Sequence, residues 1–299
     1  MLSTADMDSL TARFRAVDLV HLAMLGLLVA ASLFVWNDAM HAGWLLGLNA
    51  VLFAAVAGLA AGPFTRLDPP KAALARLAVS YFLVAALFNE LAALVPALNP
   101  LRYDGQLRGF DADILLFDPA HSLAFLHHPL LSDFFAAGYF SFYVLPFAFF
   151  AVLYRQGLVE PLAAANAAIV TGFYVSFLGN ALVPAASPFR TPGLFEAELA
   201  GLWLHEPLHY LVAQYEAHEL SAFPSGHILV AAIIVLLAAR WCPRQAPVFL
   251  LWGLWLLLGT LYLGYHYLVD ALAALALAPL CAWSGTRLSL RLDWARGTA

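Results

Sequence analysis

The sequence predicts an all-α integral membrane protein, and three observations carry that reading. Of its 299 residues, 63% are apolar and 11% charged, against roughly 25% charged in a typical soluble domain. Mean hydropathy is +0.82, more apolar surface than a soluble fold of this size could hide. The apolar residues also fall in runs that suit a bilayer core of about 30 Å, which takes roughly 20 residues of helix to cross. The composition excludes a soluble enzyme and a disordered protein. The net charge of -5 offers no basic footprint for nucleic acid. Two cysteines, Cys242 and Cys281, imply no disulfide framework.

About eight transmembrane helices are expected, near 17–36, 43–62, 73–96, 133–154, 162–183, 224–241, 245–262 and 264–284. Each is read as a helix because a backbone inside lipid must bond to itself. The first follows Arg13 and Arg15 without a clear cleavage site, so it is read as a retained span. Eight spans put both termini on one side. With the termini in the cytoplasm, the inner segments carry Arg13, Arg15, Arg66, Lys71, Arg76, Arg155, Arg240, Arg244, Arg287, Arg291 and Arg296. The outer ones carry only Arg102, Arg108 and Arg190, the asymmetry of the positive-inside rule. Arginine rather than lysine dominates, which points to a GC-rich genome and a bacterial inner membrane, with the outer loops in the periplasm or exterior.

Both long connections, 97–132 and 184–223, then lie outside. They hold His121, His127, His128, His205, His209 and His218, and His227 follows directly. Leu208, Leu211, Val212 and Tyr215 stand at helical spacing, as do apolar residues from Ile114 to Phe117, so short interfacial helices are expected.

Ionisable groups within spans cost on the order of 2.5–3.5 kcal/mol each. They are His21, Glu90, His227, His266 and Asp270, with Asn89 and Asn180 as neutral companions. All but His21 fall toward the outer ends, as a site at one depth would require. Pro224-Ser225-Gly226-His227 reads as a helix start, with Pro at the first position and Ser as cap. Its free N–H groups suit a phosphate. His266 and Asp270 are spaced i, i+4 on one helix face, where the carboxylate can fix the imidazole tautomer. Arg190 is the arginine of the second outer loop and suits bidentate phosphate binding. Alone, each has an ordinary structural reading: a capped helix, a buried ion pair and an interfacial anchor. Asp111 and Asp113 read as an acidic loop rather than a metal-binding pair, and no metal site is expected.

Together, the histidine of Pro224 to His227 and the later His266-xxx-Asp270 resemble the type-2 phosphatidic acid phosphatase superfamily. Leu116 to Pro119, Tyr139 to Pro146, Pro184 to Arg190, Phe223 to His227 and Thr260 to Asp270 resemble its inositol phosphorylceramide synthase branch. The resemblance spans roughly 75–285. It implies one membrane domain: a six-helix phosphatase-type core over 73–285 and two added spans within 1–72. It implies a nucleophile at His266 that forms a phosphohistidine, an orienting Asp270, and an acid–base His227. Arg190, Ser225 and Gly226 would hold the phosphate, with no metal and no cofactor. The chain departs from the phosphatase pattern at Gly259-Thr260, where Ser-Arg is usual, and at Val183, where lysine is usual. It also carries Gly226 where the synthase branch has a bulkier residue.

The expected function is a lipid phosphotransferase in the bilayer, acting on a phospholipid or lipid phosphate and not on nucleic acid. A phosphatase using water is the alternative, and a transporter a third reading. Asn89, Glu90, Tyr139, Tyr143 and Asn180 are candidate head-group contacts.

Overall fold

The computed structural model describes residues 13–37, 42–191, 199–215 and 218–294, which are helix, turn and loop without strand. Pro192 and Arg296 lie outside the described residues. The longer helices are α1 (Ala16–Phe34), α2 (Ala42–Ala61), α3 (Pro69–Leu98), α4 (Pro129–Phe140), α5 (Leu145–Arg155), α6 (Val159–Leu182), α7 (His205–Tyr215), α8 (Gly226–Trp241), α9 (Ala246–Tyr262) and α10 (Leu268–Trp294).

Among the described residues, five helices have the length and apolarity to cross a membrane: α1, α2, α3, α6 and α10. The eight expected stretches divide unevenly, into these five, a bent pair and two shorter apolar helices. The stretch 133–154 is a broken span, α4 and α5 bent by 51° at a turn over Ser141–Tyr143. Pro146 in the first turn of α5 has no N–H and its ring crowds the carbonyl four residues back, so a straight helix cannot run through it. Counted as one, the pair makes six spans. α8 and α9 are apolar but only 16 and 17 residues long, roughly 25 Å at about 1.5 Å per residue.

Local caps place the helix ends. Asp68 accepts from Lys71 N (3.0 Å) ahead of Pro69 and starts α3. Ser225 Oγ accepts from Ile228 N (3.3 Å) and starts α8. The hub is α6, which packs against α1, α3, α8 and α10. Its Ala164, Ala165, Ala167 and Ala168 are buried. Gly285 of α10 sits against the backbone of Ala167 and Ala168, where a Cβ would have no room. Small residues of this kind let membrane helices approach closely.

The first two helices dock through buried polar contacts. His21 of α1 meets the Tyr174 hydroxyl of α6 through Nδ1 (2.7 Å) and the Ser80 hydroxyl of α3 through Nε2 (2.9 Å). Asn166 Nδ2 also donates to Ser80 Oγ (3.0 Å). Nearby, Arg76 Nε donates to Asp18 Oδ2 (2.9 Å), both side chains being buried. Asn49 Nδ2 of α2 donates to Glu90 Oε1 (2.5 Å). Glu90 therefore binds helix to helix, which corrects its expected place among the head-group contacts: it faces Asn49, on the side of α3 turned from the cavity described below.

Candidate active site

The site lies where the starts of α8 and α10 meet at one end of α6. The turn into α8 is held from α6. Ser176 Oγ donates to the Pro224 carbonyl (2.9 Å), and the Asn180 amide, oriented as its neighbours require, donates to the Phe223 carbonyl (2.9 Å). A Cβ on Gly226 would stand 3.1 Å from Ser176 Oγ, so glycine permits this close approach. The Ser225 side chain is fully buried as the α8 cap.

His266 precedes α10. Its Nδ1 lies 3.0 Å from the Ala222 carbonyl and 3.3 Å from Asp270 Oδ2. Both partners accept, so Nδ1 carries the proton and Nε2 keeps its lone pair. Nε2 has no hydrogen bond among the described residues, and His266 lines a cavity. Asp270 is fully buried and its Oδ2 also accepts from Tyr267 N (3.0 Å). His227 is packed between Tyr139 and Phe142, its ring centroid 5.8 Å from that of His266.

Asp111 sets the start of α10. Its carboxylate accepts from Leu268 N (2.6 Å) and Val269 N (2.8 Å) from a buried position in a π-helical turn over Phe110–Ile114. Burial pushes this carboxyl up from its ordinary value, and the two N–H donors pull it back. The acidic loop is therefore a helix cap in trans. Asp104 works similarly: Oδ1 accepts from Ala186 N (2.7 Å) and pairs with Arg102, tying the two long connections together.

A cavity of about 620 Å³ opens from His227 and His266, within the range of ligand pockets. Its polar lining gathers near the histidines: Asn89, Ser176, Asn180, Ser187, Ser221 and Tyr265. Farther along, Tyr81, Val84, Phe147 and Phe173 line it. Ala85, Asn89, Tyr143 and Phe147 are lining residues that are also exposed, so the mouth faces sideways between α3 and the broken span.

Arg190 stands apart from the cavity lining. Phe189 N beside it donates to the Gly264 carbonyl (3.0 Å), but its own guanidinium turns to α7. Nη2 donates to the Val212 carbonyl (2.9 Å), and Nη1 meets Glu219 (3.3 Å). A cation at a helix C-terminus is favoured by the dipole. At the other end of α7, the Asp133 carboxylate accepts from the backbone N–H groups of Leu202, Trp203, Leu204 and His205 at 2.9 to 3.2 Å. α7 is thus strapped over the site, and its Leu211 and Val212 line the cavity. Among the described residues no three His, Cys, Asp or Glu side chains gather as a metal would need.

The sequence reading takes Asp111 only as part of an acidic loop and does not single out Asp104 or Asp133. Each carboxylate caps backbone far away in the chain, and only a cap next to its own helix has a local signature.

A buried His–Asp pair with a second imidazole at the head of an intramembrane cavity defines a class of membrane enzyme core. The PAP2 superfamily model matches residues 105–284, and the chain belongs to that superfamily. It is 28% identical over 120 residues to a PA-phosphatase related-family protein of Dictyostelium discoideum, an alignment covering 39% of this chain and 22% of that relative. The chain thus spans about a fifth of the relative's length. No solved structure matches.

Proposed function

We propose that the chain is a membrane-embedded lipid phosphotransferase that moves a phospho-head group to a lipid or sugar alcohol. The single observation carrying this reading is the tautomer of His266: Nδ1 is held by Ala222 and Asp270, and Nε2 is free toward the cavity.

Nε2 attacks phosphorus as the bond to the leaving alcohol breaks. His227 gives that alcohol its proton. The buried carboxylate of Asp270 stabilises the imidazole as it becomes cationic. An acceptor alcohol then loses its proton to His227 and attacks phosphorus, the N–P bond breaks, and His266 returns to its starting state. The first N–H groups of α8, at Gly226 and His227, suit the phosphate oxygens.

Among the described residues the cavity lining includes no lysine or arginine. That favours a phosphodiester donor with a single negative charge over a monoester carrying about 1.5 to 2 at neutral pH. The same first step with water as acceptor makes a phosphatase, and the Dictyostelium relative's name favours that second reading. The site is proposed to face the periplasm or exterior, with the termini cytoplasmic, since Arg102, Arg108 and Arg190 are the basic residues at its end.

Product analysis separates these readings. Purified protein is incubated with head-labelled phospholipids and a diacylglycerol or ceramide acceptor, with chelator present. A new phosphodiester lipid that disappears in His266→Ala is the expected result. Inorganic phosphate released without regard to added alcohol makes it a phosphatase, and turnover surviving in His266→Ala overturns both.

A further inference from the structure

The chamber has a built floor. On α3 its lining runs from Asn89 to Tyr81, eight residues and about 12 Å at 1.5 Å per residue. At the lower end the Tyr81 ring stacks on Phe147 of α5, centroids 4.1 Å apart and planes 21° from parallel. Beyond Tyr81 lies a second void of about 30 Å³, lined by Ser80, Phe150, Asn166, Ile169 and Val170. Tyr81, Val84 and Phe173 border both spaces. Tyr81, Val84 and Phe173 therefore separate the long slot from the room under it, and Phe147, half exposed at the mouth, backs the Tyr81 ring.

The slot is polar where the histidines stand and apolar toward its floor, and it opens sideways toward lipid. A molecule that fills it has a phosphate at one end and a hydrocarbon chain at the other. We propose that the chamber takes one acyl chain of the lipid whose phosphate meets His266, and that Tyr81 and Phe147 set the longest chain accepted. This rests on the lipid reading proposed above and adds a specificity-determining pair that touches no phosphate.

The packing supports a gauge rather than a general greasy surface. The Tyr81 ring is partly buried and is held in place by its stack on the half-exposed Phe147, so a longer chain must displace that stacked ring to pass. In hydrophobic pockets one methylene too many changes discrimination by about 10- to 200-fold. The Tyr81 hydroxyl is enclosed and has no hydrogen-bond partner among the described residues, so the ring, not the hydroxyl, is the working part.

The test is a chain-length profile of turnover, using phospholipids of one head group and graded acyl length. Wild type is expected to fall off sharply beyond one length. Phe147→Ala, and Phe147→Leu as the milder change, should move the cut-off to longer chains, with a gain of about tenfold or more for the first lengths past the wild-type limit. Val84→Phe fills the slot from the side and should move the cut-off the other way. Native mass spectrometry of the lipid retained by His266→Ala, with and without Phe147→Ala, gives the same comparison without turnover. Unchanged retained chain lengths and superimposable profiles in the Phe147 and Val84 variants overturn the gauge while leaving phosphotransfer intact. Absent turnover with shifted retained chains removes the phosphotransfer reading and keeps the gauge.

Discussion

His21, on α1, and His266, in the bend before α10, are both buried histidines close to α6 or its neighbours, yet they do opposite work. His21 has a hydroxyl on each ring nitrogen, Tyr174 on Nδ1 and Ser80 on Nε2. Nothing is left over, and His21 lines neither the large cavity nor the small void beneath it. His266 has acceptors on Nδ1 only, and the other nitrogen faces open space. The lesson is that burial and polar partners do not distinguish a structural imidazole from a reactive one. The unspent nitrogen, aimed at a cavity, does.

Mutating the two histidines tests that contrast. His266→Ala should lower turnover by about 10⁴-fold or more, as loss of a nucleophile does elsewhere, while the melting transition stays close to wild type. His21→Ala should do the reverse: activity per folded molecule persists, and stability falls by about 1–3 kcal/mol for the orphaned hydroxyls. If purified His21→Ala melts normally and is inactive, the division between the two sites fails.

The next effect is that of Asp270→Asn, expected to cut the rate by about 10²- to 10⁴-fold by releasing the His266 tautomer. A steady-state assay against folded protein reads it, and unchanged kcat would remove Asp270 from the mechanism. The cluster around α1 has its counterpart in Arg76→Ala, which takes the paired guanidinium from buried Asp18 and leaves it the Arg15 N–H; it should destabilise by about 3 kcal/mol or less, read by thermal or denaturant unfolding in detergent. Asp111→Ala joins the two kinds of outcome. Losing the α10 cap should cost about 0.5–2 kcal/mol, and kcat should fall as well, since the helix start carries His266 and Asp270. A stability loss with kcat intact would reduce Asp111 to a plain cap.

The smallest expected effect concerns the strap. Burial first, then the charges of His205 and Arg190, hold the His209 imidazole below its ordinary value. The folded state binds fewer protons there than the unfolded chain. Docking of α7 is therefore full above about pH 6.5, the ordinary histidine value, and weakens as pH falls. Hydrogen exchange over 205–215, corrected for intrinsic rate, should quicken on acidification, and His209→Gln should blunt the change.

Much of this protein was legible in one dimension. The membrane class follows from composition, because a chain this apolar has only lipid for a solvent. Ser225 as a cap follows from local geometry, whereas His266, expected on one helix face with Asp270, lies in the bend before α10 and meets Asp270 across the helix start. Tertiary structure decided the rest. It turned 133–154 into a broken span around Pro146, and gave Glu90 to Asn49 and Arg190 to α7. It also made Asp111 the cap of a helix 157 residues away. The physical reason is common to all of these: a buried polar group takes whichever partner lies within about 3 Å, and sequence spacing reports that distance only within a few turns of one helix.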